Sequence, residues 1–143
     1  MQLTEAQNAE VLETMHQYGT AYQKKDKKAL LAIFSPEING FGSGPDEVIM
    51  DRQDVSRQIK RDLSQATVIS FIFSETKISG EGRIAWVTSK SAITFMIDGA
   101  KKQTMNGRTT MVLRNTGSRW LIEQVHFSMP YGEQSTGQSF PGA

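Results

Sequence analysis

The chain has 143 residues, the length of one domain, and its sixteen Lys and Arg against fifteen Asp and Glu leave a formal charge of +1. That balance argues against a nucleic-acid partner, and the absence of cysteine excludes disulfides and thiolate-bound metals. No apolar run reaches the roughly 18 residues of a membrane span. The polar start Met1-Gln2-Leu3-Thr4-Glu5 lacks the order of a secretory leader, so a cytoplasmic protein is expected.

Thr4 with Gln7 has the spacing of a capping box, a hydroxyl at the cap and an amide three residues on. Val11, Met15, Tyr18 and Tyr22 then recur on one helical face, widened by Leu12 and Ala21, which predicts a helix over 4–25. The basic cluster 24–28 reads as a solvated junction. Asp26 caps a short helix over 27–34 with Ala29, Leu30, Ile33 and Phe34 inward, and Ser35-Pro36 stops it. A short extended piece over 37–41 leads into a turn rich in glycine (Gly40, Gly42, Gly44, Pro45). Val48-Ile49-Met50 form another short strand. Asp51 or Asp54 caps a third helix ending near Gln65, with Val55, Ile59 and Leu63 buried.

After Gln65 the period changes from 3.6 to 2. Strands are expected over 67–79, 84–97, 102–114 and 119–128, with turns at Gly80-Glu81-Gly82, Asp98-Gly99 and 115–118. Helices first and antiparallel strands after indicate an α+β fold. One domain is expected over residues 1–131, followed by a Gly/Ser/Gln-rich tail, 132–143, expected to be mobile. Three helices on one face of four long strands would make the sheet curve into a cone, with side chains lining a cavity at its open end.

The last strand, RWLIEQVHFS, sets the faces if alternation is strict. Trp120, Ile122, Gln124, His126 and Ser128 then point inward, from core to cavity, and Leu121, Glu123, Val125 and Phe127 point outward. The same reading turns Trp86, Thr88, Lys90, Thr94, Arg108 and Thr110 inward. Val87, Ile93, Phe95, Leu113, Leu121, Val125 and Phe127, with Val68 or Ile69, then form an outer row that a twofold mate would cover, so a homodimer is expected.

This order of elements, ending in Trp-x-Ile-x-x-x-His-x-Ser over 120–128, resembles the SnoaL-like branch of the NTF2-like (ketosteroid-isomerase-like) superfamily. FGSGPDEVIMDRQDVSRQIKRD, 41–62, is similar to that branch's turn and third helix. GRTTMVLRNTGSRWLIEQVHFS, 107–128, is similar to its last hairpin. The association domain of calcium/calmodulin-dependent kinase ends in a like strand. The resemblance spans nearly the whole chain and implies an NTF2-like cone, three N-terminal helices on a strongly curved, mainly antiparallel sheet. In the superfamily's steroid isomerase a tyrosine of the first helix donates to the oxyanion, and Tyr18 falls where it would. The carboxylate base of that enzyme would fall near Gly42, where no carboxylate stands, and Asp46 and Glu47 are the nearest acids.

The expected catalytic set is His126, Asp46 and Tyr18. An inward imidazole titrates near neutrality and could act as a base, with Asp46 as its partner and Tyr18 as donor. The bland readings are a strand-end histidine, a turn aspartate and a core tyrosine. Tyr22, Trp86, Arg108, Thr110, Trp120 and Ser128 are the expected ligand-binding residues, with Arg108 suited to a carboxylate. Two histidines separated by most of the chain do not suggest a metal site, and no cofactor is expected. These residues describe a pocket protein for a small apolar or carboxylate-bearing ligand, with acid–base chemistry on a carbonyl compound within reach. The alternative is a dimerisation or ligand-binding module without catalysis.

Overall fold

The computed structural model describes residues 2–143. Helix α1 (Glu5–Gln23) starts at a complete capping box, with the Thr4 side chain accepting from the Gln7 backbone and the Gln7 side chain accepting from that of Thr4. Its stripe buries Val11, Met15 and Tyr22, while Leu12 stays exposed. Asp26 caps α2 (Lys27–Ile33) through the Ala29 N–H. Phe34 then begins strand β1 (Phe34–Phe41) rather than ending the helix. A loop leads to β2 (Val48–Ile49). Asp51, not Asp54, caps α3 (Arg52–Gln65).

Four long strands follow: β3 (Thr67–Glu81), β4 (Ile84–Met96), β5 (Gln103–Asn115) and β6 (Trp120–Ser128). The sheet has six strands in the order β2-β1-β6-β5-β4-β3, antiparallel except where β1 runs parallel to β6. The three helices pack on its concave face, as an NTF2-like α+β cone requires. Met15, Leu30, Ile38, Ile59, Met111, Leu113 and Ile122 are fully buried between the layers. Burial of such side chains contributes about 1.5–3 kcal/mol each before entropy is set against it. No helix among the described residues is long and apolar enough to cross a membrane. Beyond Ser128 the chain forms turns with mostly exposed side chains.

The faces of the sheet differ from strict alternation. On β6, Ile122 pairs with Leu113 and Gln124 with Val112, so Glu123 is an extra residue opposite a single step of β5. Such a bulge shifts the phase of everything after it. Trp120 and Ile122 point inward before it, and Val125 and Phe127 after it; Gln124 and His126 are exposed on the outer face. On β4 and β5 the inner set is Ala85, Val87, Ser89, Ser91, Ile93 and Phe95 with Gly107, Thr109, Met111 and Leu113. Thr88, Lys90, Arg108 and Thr110 lie outside. The inner hydroxyls are satisfied in pairs, Ser91 with Thr109 at 3.0 Å and Ser89 with Thr76 at 2.8 Å.

Candidate functional site

A cavity of about 390 Å³ opens between the loop before β2, the C-terminal half of α3 and the far ends of β4 and β5. That is a size suited to a small ligand. Its walls are apolar and aromatic: Phe34, Phe71, Ile93, Phe95, Val125 and Phe127 stand with Ile49, Val55 and Ile59. Phe127 pairs with Thr109 of β5, and its ring fits because the diagonal neighbour is Gly107, where a Cβ would stand 2.4 Å from the ring.

One end of the cavity is polar. The Tyr22 hydroxyl donates to Asp62 Oδ2 at 2.9 Å, and Gln58 Nε2 donates to Asp62 Oδ1 at 2.6 Å. The same amide nitrogen donates to Glu47 Oε1 at 2.6 Å, so Gln58 bridges two carboxyl groups. Tyr18 lies beside Tyr22, ring centroids 5.1 Å apart. Burial pushes the Asp62 carboxyl above its ordinary range, and the charge of Glu47 pushes the same way. The hydrogen bonds from Gln58 and Tyr22 pull back without cancelling it. Burial likewise raises both phenols, with the Asp62 charge adding to it, so Tyr18 and Tyr22 remain protonated donors.

Glu47 reaches this cluster because the glycine turn lets it fold back. Its Oε2 accepts from the Gly44 N–H, and a Cβ on Gly42 or Gly44 would stand 2.9 or 2.5 Å from Glu47 atoms. Spatially, Glu47 supplies a carboxylate over Gly42, where the linear sequence has none. Asp46 goes elsewhere. It pairs with Arg61 at 2.6 and 3.2 Å at the rim, and those hydrogen bonds hold its carboxyl below the usual range.

Of the residues expected at the site, Tyr18 and Tyr22 line the cavity. His126 does not; it is exposed on the outer face against the Phe41 ring, centroids 5.4 Å apart, because the bulge at Glu123 reverses its direction. Asp46 is a rim residue tied to Arg61 and makes no pair with His126. Trp86, 48% exposed, is also on the outer face, as are Arg108 and Thr110. Ser128 pairs with Arg108 across that region, outside the cavity lining. Trp120 is buried, but its Nε1 donates to Glu10 Oε2 at 2.9 Å, away from the cavity. The row expected on the outside is largely internal: Val87, Leu113 and Val125 are core, and Val68, Ile93, Phe95 and Phe127 line the cavity.

Asp62, Gln58 and Glu47 were not among the expected site residues. Asp62 had a signal, since Val55, Ile59 and Asp62 follow at spacings of four and three on one helical stripe.

The sequence profile of the SnoaL-like domain family matches residues 11–132. The chain belongs to the SnoaL-like domain family. Solved structures agree with this membership. A protein of Novosphingobium aromaticivorans provisionally named a scytalone dehydratase superposes with a TM-score of 0.79 at 11% identity, covering 88% of the SnoaL-like chain and 85% of its own. A provisionally named dehydratase of the NTF2-like family from Streptomyces avermitilis gives 0.81 at 17% identity, covering 89% and 98%. An NTF2-like protein of unknown function from Pseudomonas putida gives 0.78 at 14%, covering 99% and 98%. No curated protein matches the chain. At these identities the likeness establishes the NTF2-like fold, and the chemistry of this SnoaL-like protein has to be argued from its own side chains.

Proposed function

We propose that the protein holds a small, mostly apolar molecule in the cavity by one polar group, and that Asp62 exchanges a proton with that group or the carbon beside it. The Tyr18 hydroxyl orients the ligand as its hydrogen-bond partner, and Tyr22 and Gln58 hold the carboxyl in place by donating to it. The observation that carries this reading is Tyr22 donating at 2.9 Å to a carboxyl that burial makes harder to ionise, at the polar end of an apolar cavity. A carboxyl raised toward neutrality is matched to general acid–base work. The names of the two dehydratase-like neighbours are compatible with such chemistry.

Acetophenone, an apolar carbonyl compound, tests the reading in D2O. Wild-type protein is expected to accelerate deuterium exchange at its methyl group, and Asp62→Asn to reduce the acceleration by about a hundredfold, the low end for a lost acid–base group. Equal acceleration by the two proteins would contradict the role of Asp62.

A further inference from the structure

The charges around the cavity do not balance. Its lining contains two carboxyl groups, Glu47 and Asp62, and a single cation, Arg61. Arg61 is turned to the rim, where Asp46 takes it at 2.6 Å, leaving it 3.7 Å from Glu47. From α1 the groups facing Asp62 are the neutral phenols Tyr18 and Tyr22. From the loop come Asp46 and Glu47, and from α3 comes Arg61 alone. The sheet contributes no charged side chain to the lining. Asp46, Glu47 and Arg61 together sum to −1, and ionised Asp62 would make that −2. Beside this end, Tyr18 packs edge-on to Tyr22, Phe34 and Phe71 with centroids 5.1, 5.9 and 5.4 Å apart.

A negative end beside aromatic walls is a site for an organic cation. A carboxylate ligand would meet Glu47 without a free guanidinium to receive it. A neutral alcohol would hydrogen-bond but leave the charge uncompensated. A protonated amine compensates the charge, and its hydrocarbon part packs on the aromatic walls. We propose that the cavity selects a small aromatic or aliphatic amine, bound as its ammonium ion beside the Gln58-bridged pair of Asp62 and Glu47. This rests on the cavity reading above and narrows its ligand class. Binding has a proton consequence. The incoming ammonium favours the ionised form of Asp62, so the bound amine lowers the pH at which that carboxyl ionises.

Three near-isosteric probes test it: 2-phenylethylamine, 2-phenylethanol and phenylacetate. Calorimetry near neutral pH is expected to show the amine at least tenfold tighter than the alcohol, and phenylacetate weakest. Titration of the Asp62 side-chain carboxyl by NMR should show its midpoint falling with the amine alone. Glu47→Gln should shrink the amine's advantage, and Asp62→Asn should shrink it further. Alcohol binding as tight as the amine, with NMR shifts at Tyr22 and Asp62, would overturn the amine inference and leave the cavity reading standing. If none of the probes shifts Tyr22 or Asp62, both fail.

Discussion

Asp62 is the residue on which the site turns, and its physics gives a pH dependence with a definite sign. Its carboxyl loses its proton at higher pH in the folded chain than in the unfolded one, because burial penalises the charge. Below the ordinary value of 3.8 both states are protonated and there is no penalty. As pH rises through the folded value the folded state must give up a proton held against burial, and stability is lost. Asp62→Asn cannot ionise. Relative to wild type, its unfolding free energy is expected to improve as pH rises from about 4 and to level off once the folded carboxyl has ionised, read by urea denaturation at several pH values. A difference that stays flat with pH would contradict the buried-carboxyl account. Glu47 differs from Asp46 by one position, yet only Glu47 reaches the cavity, because the backbone contacts of Gly42 and Gly44 turn it inward. That choice depends on loop geometry, which linear spacing does not encode.

At the level of elements, capping and periodicity were legible. Thr4, Asp26 and Asp51 stand at helix starts where side-chain chemistry places them, and the turns at Asp98-Gly99 and 115–118 separate the last strands. The faces of the sheet were not legible under strict alternation. The apolar residues of β6 sit at 120, 122, 125 and 127, and the step of three is the trace of the bulge at Glu123. On β4 and β5 the inner face carries Ser89, Ser91, Gly107 and Thr109, small or polar residues that an outward Trp86 outweighed in the linear reading. Gly107 has a specific task. A Cβ there would meet the Phe127 ring at 2.4 Å and the Ser128 carbonyl oxygen at 2.8 Å. Gly107→Ala is therefore expected to cost about 1–3 kcal/mol in chemical denaturation and to push Phe127 into the cavity. Unchanged stability would show that the strand yields more easily than the contacts imply.

For the molecule as a whole, the order of helices and strands implied the cone, and the family membership bears that out. Of the expected set His126, Asp46 and Tyr18, only Tyr18 lines the cavity, where α3 contributes Asp62 and Gln58. The reason is topological: Tyr22 and Asp62 meet across a separation of 40 residues, and Gln58 joins them to a loop. The cone brings these together while turning His126 to the outer surface. The site claim reduces to one titration, carbon-detected NMR of the Asp62 side-chain carboxyl in the wild-type protein across the acid-to-neutral range. Its midpoint is expected above 3.8, falling when Glu47 is replaced by Gln. A midpoint at or below 3.8, indifferent to Glu47, would contradict that claim.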